Sequence, residues 1–158
     1  MDKHLSINGL DYYHVMQPIV DLPNNKVFGY EMLLRSKEIK SPEMLFKIAE
    51  KQNLLFELDM HSIQKAFETM STSVSTLDGF HLFINILPST IGNPLSKEYL
   101  TKLKANLKLK KSKIVFEITE AKKEKELMMC KKMVGDMKEQ DFLIALDDLG
   151  KGDFENVS

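Results

Sequence analysis

Oxygen-bearing side chains recur at one kind of place in this chain: Glu31, Asn85, Glu117 and the pair Asp147-Asp148 each stand within or just after a short apolar run. Glu31 sits in Gly29-Tyr30-Glu31-Met32-Leu33-Leu34, Asn85 in Leu82-Phe83-Ile84-Asn85-Ile86-Leu87, and Glu117 in Ile114-Val115-Phe116-Glu117-Ile118. The aspartates close Phe142-Leu143-Ile144-Ala145-Leu146. Burying an unpaired carboxylate is costly, so four acids and an amide in such surroundings need partners, and a shared cation is the economical one. All-oxygen ligation without His or Cys suits Mg²⁺ or Mn²⁺ rather than Zn²⁺. Arg35 lies four residues after Glu31 at the end of the same run, where its guanidinium could grip a phosphate oxygen on the metal. Together these groups suggest phosphoester chemistry.

For this to work, the runs must be neighbouring strands. Aromatic and branched residues over Tyr12 to Val20 and Lys26 to Leu34 flank Leu22-Pro23-Asn24-Asn25, which predicts two strands joined by a short loop. Ser41-Pro42 starts a short helix carrying Leu45, Ile48 and Ala49. Phe56, Met60, Ile63, Phe67 and Met70 line one face of a long amphipathic helix. Further on, a strand at Leu82 to Leu87 is followed by a helix around Tyr99, Leu103 and Leu107. A strand Ile114 to Ile118, a helix from about Lys125 to Lys138 and a strand Phe142 to Leu146 complete the alternation. Strands apolar on both faces and alternating with helices predict an α/β chain with a mainly parallel sheet. Parallel strands lie ~4.8 Å apart, so the oxygen groups converge on one rim, where barrel and open-sheet enzymes keep their sites.

Composition narrows the class. With 43% hydrophobic and 28% charged residues and a net charge of -1, the chain is globular rather than disordered, and it is not a polybasic binder of nucleic acid polymers. Its 158 residues suit one domain or a piece of one. The single Cys130 falls in a helical apolar pattern and reads as a small buried hydrophobe, favouring a reducing, cytoplasmic setting. No leader-like apolar region opens the chain and no run approaches the ~18 apolar residues of a membrane span, so a soluble, untargeted protein is expected. His4, His14, His61 and His81 lack the spacing of a metal site or catalytic triad and read as surface or packing residues.

Gln17-Pro18-Ile19-Val20-Asp21 and Gly29-Tyr30-Glu31-Met32-Leu33-Leu34-Arg35 together resemble the opening of bacterial EAL domains, signalling enzymes whose signature Glu-Ala-Leu would stand here as Glu-Met-Leu. Further matches follow in the family's order: Glu57-Leu58-Asp59, Phe83-Ile84-Asn85-Ile86, Phe116-Glu117-Ile118-Thr119-Glu120 and Ala145-Leu146-Asp147-Asp148-Leu149-Gly150. The resemblance implies a modified TIM-type (β/α) barrel, here incomplete, with about five strands alternating with helices and residues 1–158 forming the N-terminal portion of a single EAL domain. It further implies that Glu31, Asn85, Glu117 and Asp147 ligate a first Mg²⁺ or Mn²⁺, and that Asp147 and Asp148 serve a second. Gln17 and Arg35 would contact cyclic di-GMP, and Glu120 would support the loop after the fifth strand. In that family two metals activate water for in-line attack on one phosphodiester, giving linear pGpG.

The loop after the fifth strand departs from the family's Asp-Asp-Phe-Gly-Thr-Gly, reading Asp147-Asp148-Leu149-Gly150-Lys151-Gly152. A lysine beside the metals should weaken the second ion or the ordering of the loop. A closed barrel takes ~250 residues, and the family's later catalytic Lys, Glu and Gln would lie beyond Ser158, so no hydrolysis by this chain alone is expected. The alternatives are a non-catalytic module binding cyclic di-GMP or a protein, and a metal-free fold in which Glu31, Asn85, Glu117 and Asp147 only hydrogen-bond one another. An open sheet would leave the fifth strand unpaired, so a homo-oligomer or a protein partner over that edge is expected.

Overall fold

A computed structural model describes residues 7–109, 111–118 and 142–146, with the single positions 131, 135 and 138. After a 3-10 turn at Ile7–Gly9, the predicted hairpin follows: β1, Tyr12–Asp21, pairs antiparallel with β2, Lys26–Ser36. Its turn is possible because Asn25 adopts a left-handed φ of 55°, a conformation Asn tolerates better than most residues. Asn24 Nδ2 braces the turn by donating to Asp21 Oδ2 at 3.0 Å. The register shifts between Ile19 and Val20, a bulge that bends the strand pair. β2 runs to Ser36 rather than Leu34, because Tyr12 is available to pair with Ser36.

Ser41 caps α1, Pro42–Lys51, as its sequence suggested: its hydroxyl accepts from Met44 N–H at 3.3 Å and proline occupies the first helical turn. α2, Leu55–Thr72, buries Met60, Ile63, Phe67 and Met70 of the predicted stripe, with Phe56 partly buried against the same core. The chain continues through α3, Val74–Leu77, β3, His81–Ile86, α4, Pro88–Ile91, and α5, Pro94–Ala105. Strands β4, Lys113–Ile118, and β5, Leu143–Leu146, follow. α5 ends before Leu107, which the apolar spacing had placed in it. Of the helix expected over 125–138, Lys131, Gly135 and Lys138 are helical. The remainder of that helix, with Cys130, lies outside the described residues, as do Glu120, Asp147, Asp148 and Lys151.

The five strands stand in the order β1-β2-β3-β4-β5, with every pair after the hairpin parallel. This is an α/β fold, and among the described residues its sheet is open. Strand alternation sorts the side chains. Met32, Ile84, Ile86, Phe116 and Ile144 join Met60, Ile63 and Phe67 of α2 in the main core. The other face carries a smaller cluster of Phe83, Val115 and Ala145, packed by Ile19, Phe28 and Leu143. Among the described residues no helix is long and apolar enough to cross a membrane.

Gly29 is fixed by proximity. It pairs with His81 across β2 and β3, and a Cβ at Gly29 would lie 2.2 Å from the His81 carbonyl oxygen. Backbone cannot yield as a side-chain tip can, so Gly29→Ala is expected to cost about 1–3 kcal/mol. Urea unfolding checks this: an unchanged midpoint would show that β2 and β3 separate here without penalty.

Candidate functional site

The oxygen-bearing residues come together on the smaller-core face of the sheet. Gln17 of β1 is directly opposite Glu31 of β2, and Glu31 is in turn level with Phe83 of β3. Asn85 stands two residues further along that face, and its Nδ2 donates to Glu31 Oε2 at 3.4 Å. Asn85 is the register partner of Glu117, and Glu117 is the partner of Ala145 in β5. Gln17, Glu31, Asn85 and Glu117 therefore cross four adjacent strands on one face. Asn85 and Glu117 are each next to last in their strands. Glu31 is instead central in β2, since that strand extends to Ser36 to match β1.

Arg35 lies opposite Tyr13 near the end of β2, where its Nη1 donates to the Leu34 carbonyl at 2.8 Å. It borders a cleft of about 120 Å³ shared with His14, Asp59, Ser62 and Asn85. A larger cavity, about 440 Å³, is lined by Ile7, Tyr12, Phe56, Met60, Leu95 and Tyr99 among others, and shares no residue with the candidate set. The smaller cleft is the better candidate because Arg35 and Asn85 of the candidate set line it.

The donor set fits a hard cation. With the Asn85 amide nitrogen engaged by Glu31, the amide oxygen is the atom that can serve an ion, alongside carboxylate oxygens of Glu31 and Glu117. Among the described residues no three His, Cys, Asp or Glu side chains form a metal-sized group by themselves. Two carboxylates and an amide are the donors that these strands could offer an ion. Asp147 and Asp148, which would extend it, fall outside the described residues, as does Glu120.

Two titratable groups line the cleft, His14 half-buried and Asp59 buried, and sequence had given neither a part in the chemistry. His14 Nε2 is 3.4 Å from Ser62 Oγ, and burial, helped by the nearby charges of Lys65, Arg35 and His61, lowers its pKa to about 4. This makes His14 a packing histidine, as its lack of partners in sequence had suggested. Asp59 is 2% exposed, and burial raises its pKa to about 6 against the opposing influence of Thr90 and the Leu87 N–H. A signal for it was present but unused: Asp59, Ser62 and Ala66 share the spacing of a helical stripe adjoining the apolar one, which would turn an acid inward.

Comparison with known proteins identifies the family and the fold. The sequence model of the EAL domain matches residues 7–155. The probable cyclic di-GMP phosphodiesterase PdeG of Escherichia coli is 27% identical over 152 residues, which are 93% of this chain and 30% of that protein. The cyclic di-GMP phosphodiesterase PdeB of Shewanella oneidensis is 29% identical over 141 residues, 86% of this chain and 16% of its own length. The chain thus spans less than a third of either relative. Klebsiella pneumoniae BlrP1, solved as a complex with calcium and cyclic di-GMP, superposes with a TM-score of 0.75 at 22% identity, covering 98% of this chain and 38% of that one. The family match, spanning nearly all the residues that build the strand face, leads to one conclusion: the chain belongs to the EAL domain family.

Proposed function

We propose that this chain forms the Mg²⁺- or Mn²⁺-binding half of a cyclic di-GMP phosphodiesterase site of the EAL type. The observation that carries the proposal is the Asn85–Glu31 hydrogen bond together with the Asn85–Glu117 register, which gathers three hard-oxygen donors on neighbouring strands. Asp147 follows Ala145, the partner of Glu117, by two positions and would complete a first metal shell, with Asp148 serving a second ion. Divalent ions at such a site stabilise the charges of phosphodiester cleavage. Gln17, opposite Glu31, and Arg35, at the cleft, would hold the dinucleotide, with Arg35 steadying a non-bridging phosphate oxygen. Glu120 would brace the loop after β5. The setting consistent with this substrate is the bacterial cytoplasm, and the sheet edge at β5 would be covered by a second copy or a protein partner.

Lys151 favours a second reading, in which the site binds cyclic di-GMP without cutting it. Incubation with cyclic di-GMP and Mn²⁺ followed by chromatography for pGpG, with calorimetry in parallel, separates the two. Binding without product is the expected result for this chain. Product that disappears in Glu31→Ala would overturn the binding-only reading, and the absence of both binding and product would overturn the assignment of Gln17 and Arg35.

A further inference from the structure

We infer that Asp59 is a positioning residue that fixes the end of β3 and, through it, the amide of Asn85. The importance of that amide to metal binding rests on the function proposed above.

The need for such a residue follows from the strand pairing. β2 and β3 pair only as far as Met32 and Ile84, whereas β3 and β4 stay paired through Asn85–Glu117 and Ile86–Ile118. Asn85 is therefore held by ladder pairing on its β4 side alone, and its amide contact to Glu31 reaches across the side where the ladder has stopped. A strand end restrained on one side has freedom to twist.

Asp59 supplies restraint from a different layer. Its Oδ2 accepts from the Leu87 N–H at 3.0 Å, two residues beyond Asn85 and immediately after the last residue of β3. Leu87 also begins α4: its carbonyl accepts from Thr90 N–H at 3.0 Å and Ile91 N–H at 3.1 Å, with Pro88 at the first helical position. No side chain of α4's own cap satisfies that end, so the buried carboxylate from α2 is what ties the strand exit to the helical layer. Thr90, fully buried, turns its hydroxyl toward Asp59; its geometry falls short of a full hydrogen bond, yet it favours the carboxylate. Ile86, buried between Asn85 and Leu87, keeps this short link from slackening. Asp59 and Asn85 also line the same cleft.

Asp59→Ala and Asp59→Asn in the full chain test the inference, with three readouts: exchange of the Leu87 amide, the NMR signals of the Asn85 side-chain amide, and Mn²⁺ affinity by calorimetry. Asp59→Ala should speed Leu87 exchange, shift the Asn85 signals and weaken Mn²⁺ roughly 10-fold, as loss of an outer support does at metal sites. Asp59→Asn should restore all three, because its amide oxygen can accept from Leu87. Ile63→Ala, an apolar truncation on the same helix, controls for simple destabilisation and should leave the Asn85 signals in place. A folded Asp59→Ala with wild-type Leu87 exchange and Asn85 signals overturns the inference. Rapid Leu87 exchange in the wild type does so without any variant. If the wild type takes no Mn²⁺ but Asp59→Ala still shifts Asn85, the metal reading falls and the positioning role stands. If Glu31→Ala loses Mn²⁺ and Asp59→Ala keeps it with unmoved Asn85 signals, the positioning role falls and the metal reading stands.

Discussion

Glu31→Ala is expected to abolish nearly all stabilisation of the fold by Mn²⁺. In the wild type, Mn²⁺ at a hundred times its Kd should stabilise the folded chain by about 2.7 kcal/mol. For a chain of this size that corresponds to a rise in Tm of roughly 5–10 °C. Losing a direct ligand should cost affinity at least as much as losing an outer support, so a fall of roughly 100-fold is expected. The same Mn²⁺ then yields only about 0.4 kcal/mol. Glu31 is only partly buried and its bond to Asn85 is long, so the metal-free variant should fold, its Asn85 amide turning to water. Melting curves with and without Mn²⁺ decide the matter: equal shifts in wild type and Glu31→Ala would place the cation away from this strand face.

Acid should reveal two opposing forces that nearly cancel in the wild type. His14 has a pKa of about 4 when folded against an ordinary 6.5, so between those values the unfolded chain binds more protons and stability falls as the pH falls. Asp59 has a pKa of about 6 when folded against an ordinary 3.8, so between those values the folded chain binds more protons and stability rises as the pH falls. Each effect, taken over its whole window, is worth about 3 kcal/mol. Between pH 6 and pH 4 these two contributions should therefore nearly cancel, leaving the smaller losses from His81 and Glu38, whose pKa values are also lowered in the fold. His14→Gln should expose the Asp59 effect, gaining stability on acidification, and Asp59→Asn should expose the His14 effect, losing it. Urea unfolding at pH 7 and pH 4.5 measures both slopes. Parallel curves for the two variants would mean that neither group keeps its unusual protonation in the folded chain. At pH 7 Asp59→Asn should also be more stable than the wild type, since it keeps an acceptor for Leu87 without burying a charge.

The elements readable from sequence are those whose physics is local. The α2 stripe emerged because burial on one helical face imposes a 3.6-residue period on Met60, Ile63, Phe67 and Met70. Ser41-Pro42 marked the start of α1 because capping and a fixed proline φ act within a few residues. The candidate donors were visible because a polar group inside an apolar strand is conspicuous, and the family's motifs put them in order. What sequence left open was tertiary. Nothing local says that β2–β3 pairing stops at Ile84 while β3–β4 continues to Ile86, and that mismatch is what leaves Asn85 supported on one side. For the same reason Asp59 was seen as part of a motif but not as the acceptor for Leu87. The length of β2 was underestimated because its end depends on how far β1 reaches back.

The two kinds of strand connection also imply an order of assembly. Gln17 and Glu31 belong to one hairpin whose closing pair, Asp21 and Lys26, is nearly adjacent in the chain, whereas Glu31 must find Asn85 across a separation of 54 residues. Short loops close quickly and at small entropic cost, and distant parallel strands close slowly. A nascent chain can thus juxtapose Gln17 and Glu31 within microseconds, while the proposed cation site waits for the parallel ladder. Gain of Mn²⁺ affinity during refolding would then serve as a clock for that late step.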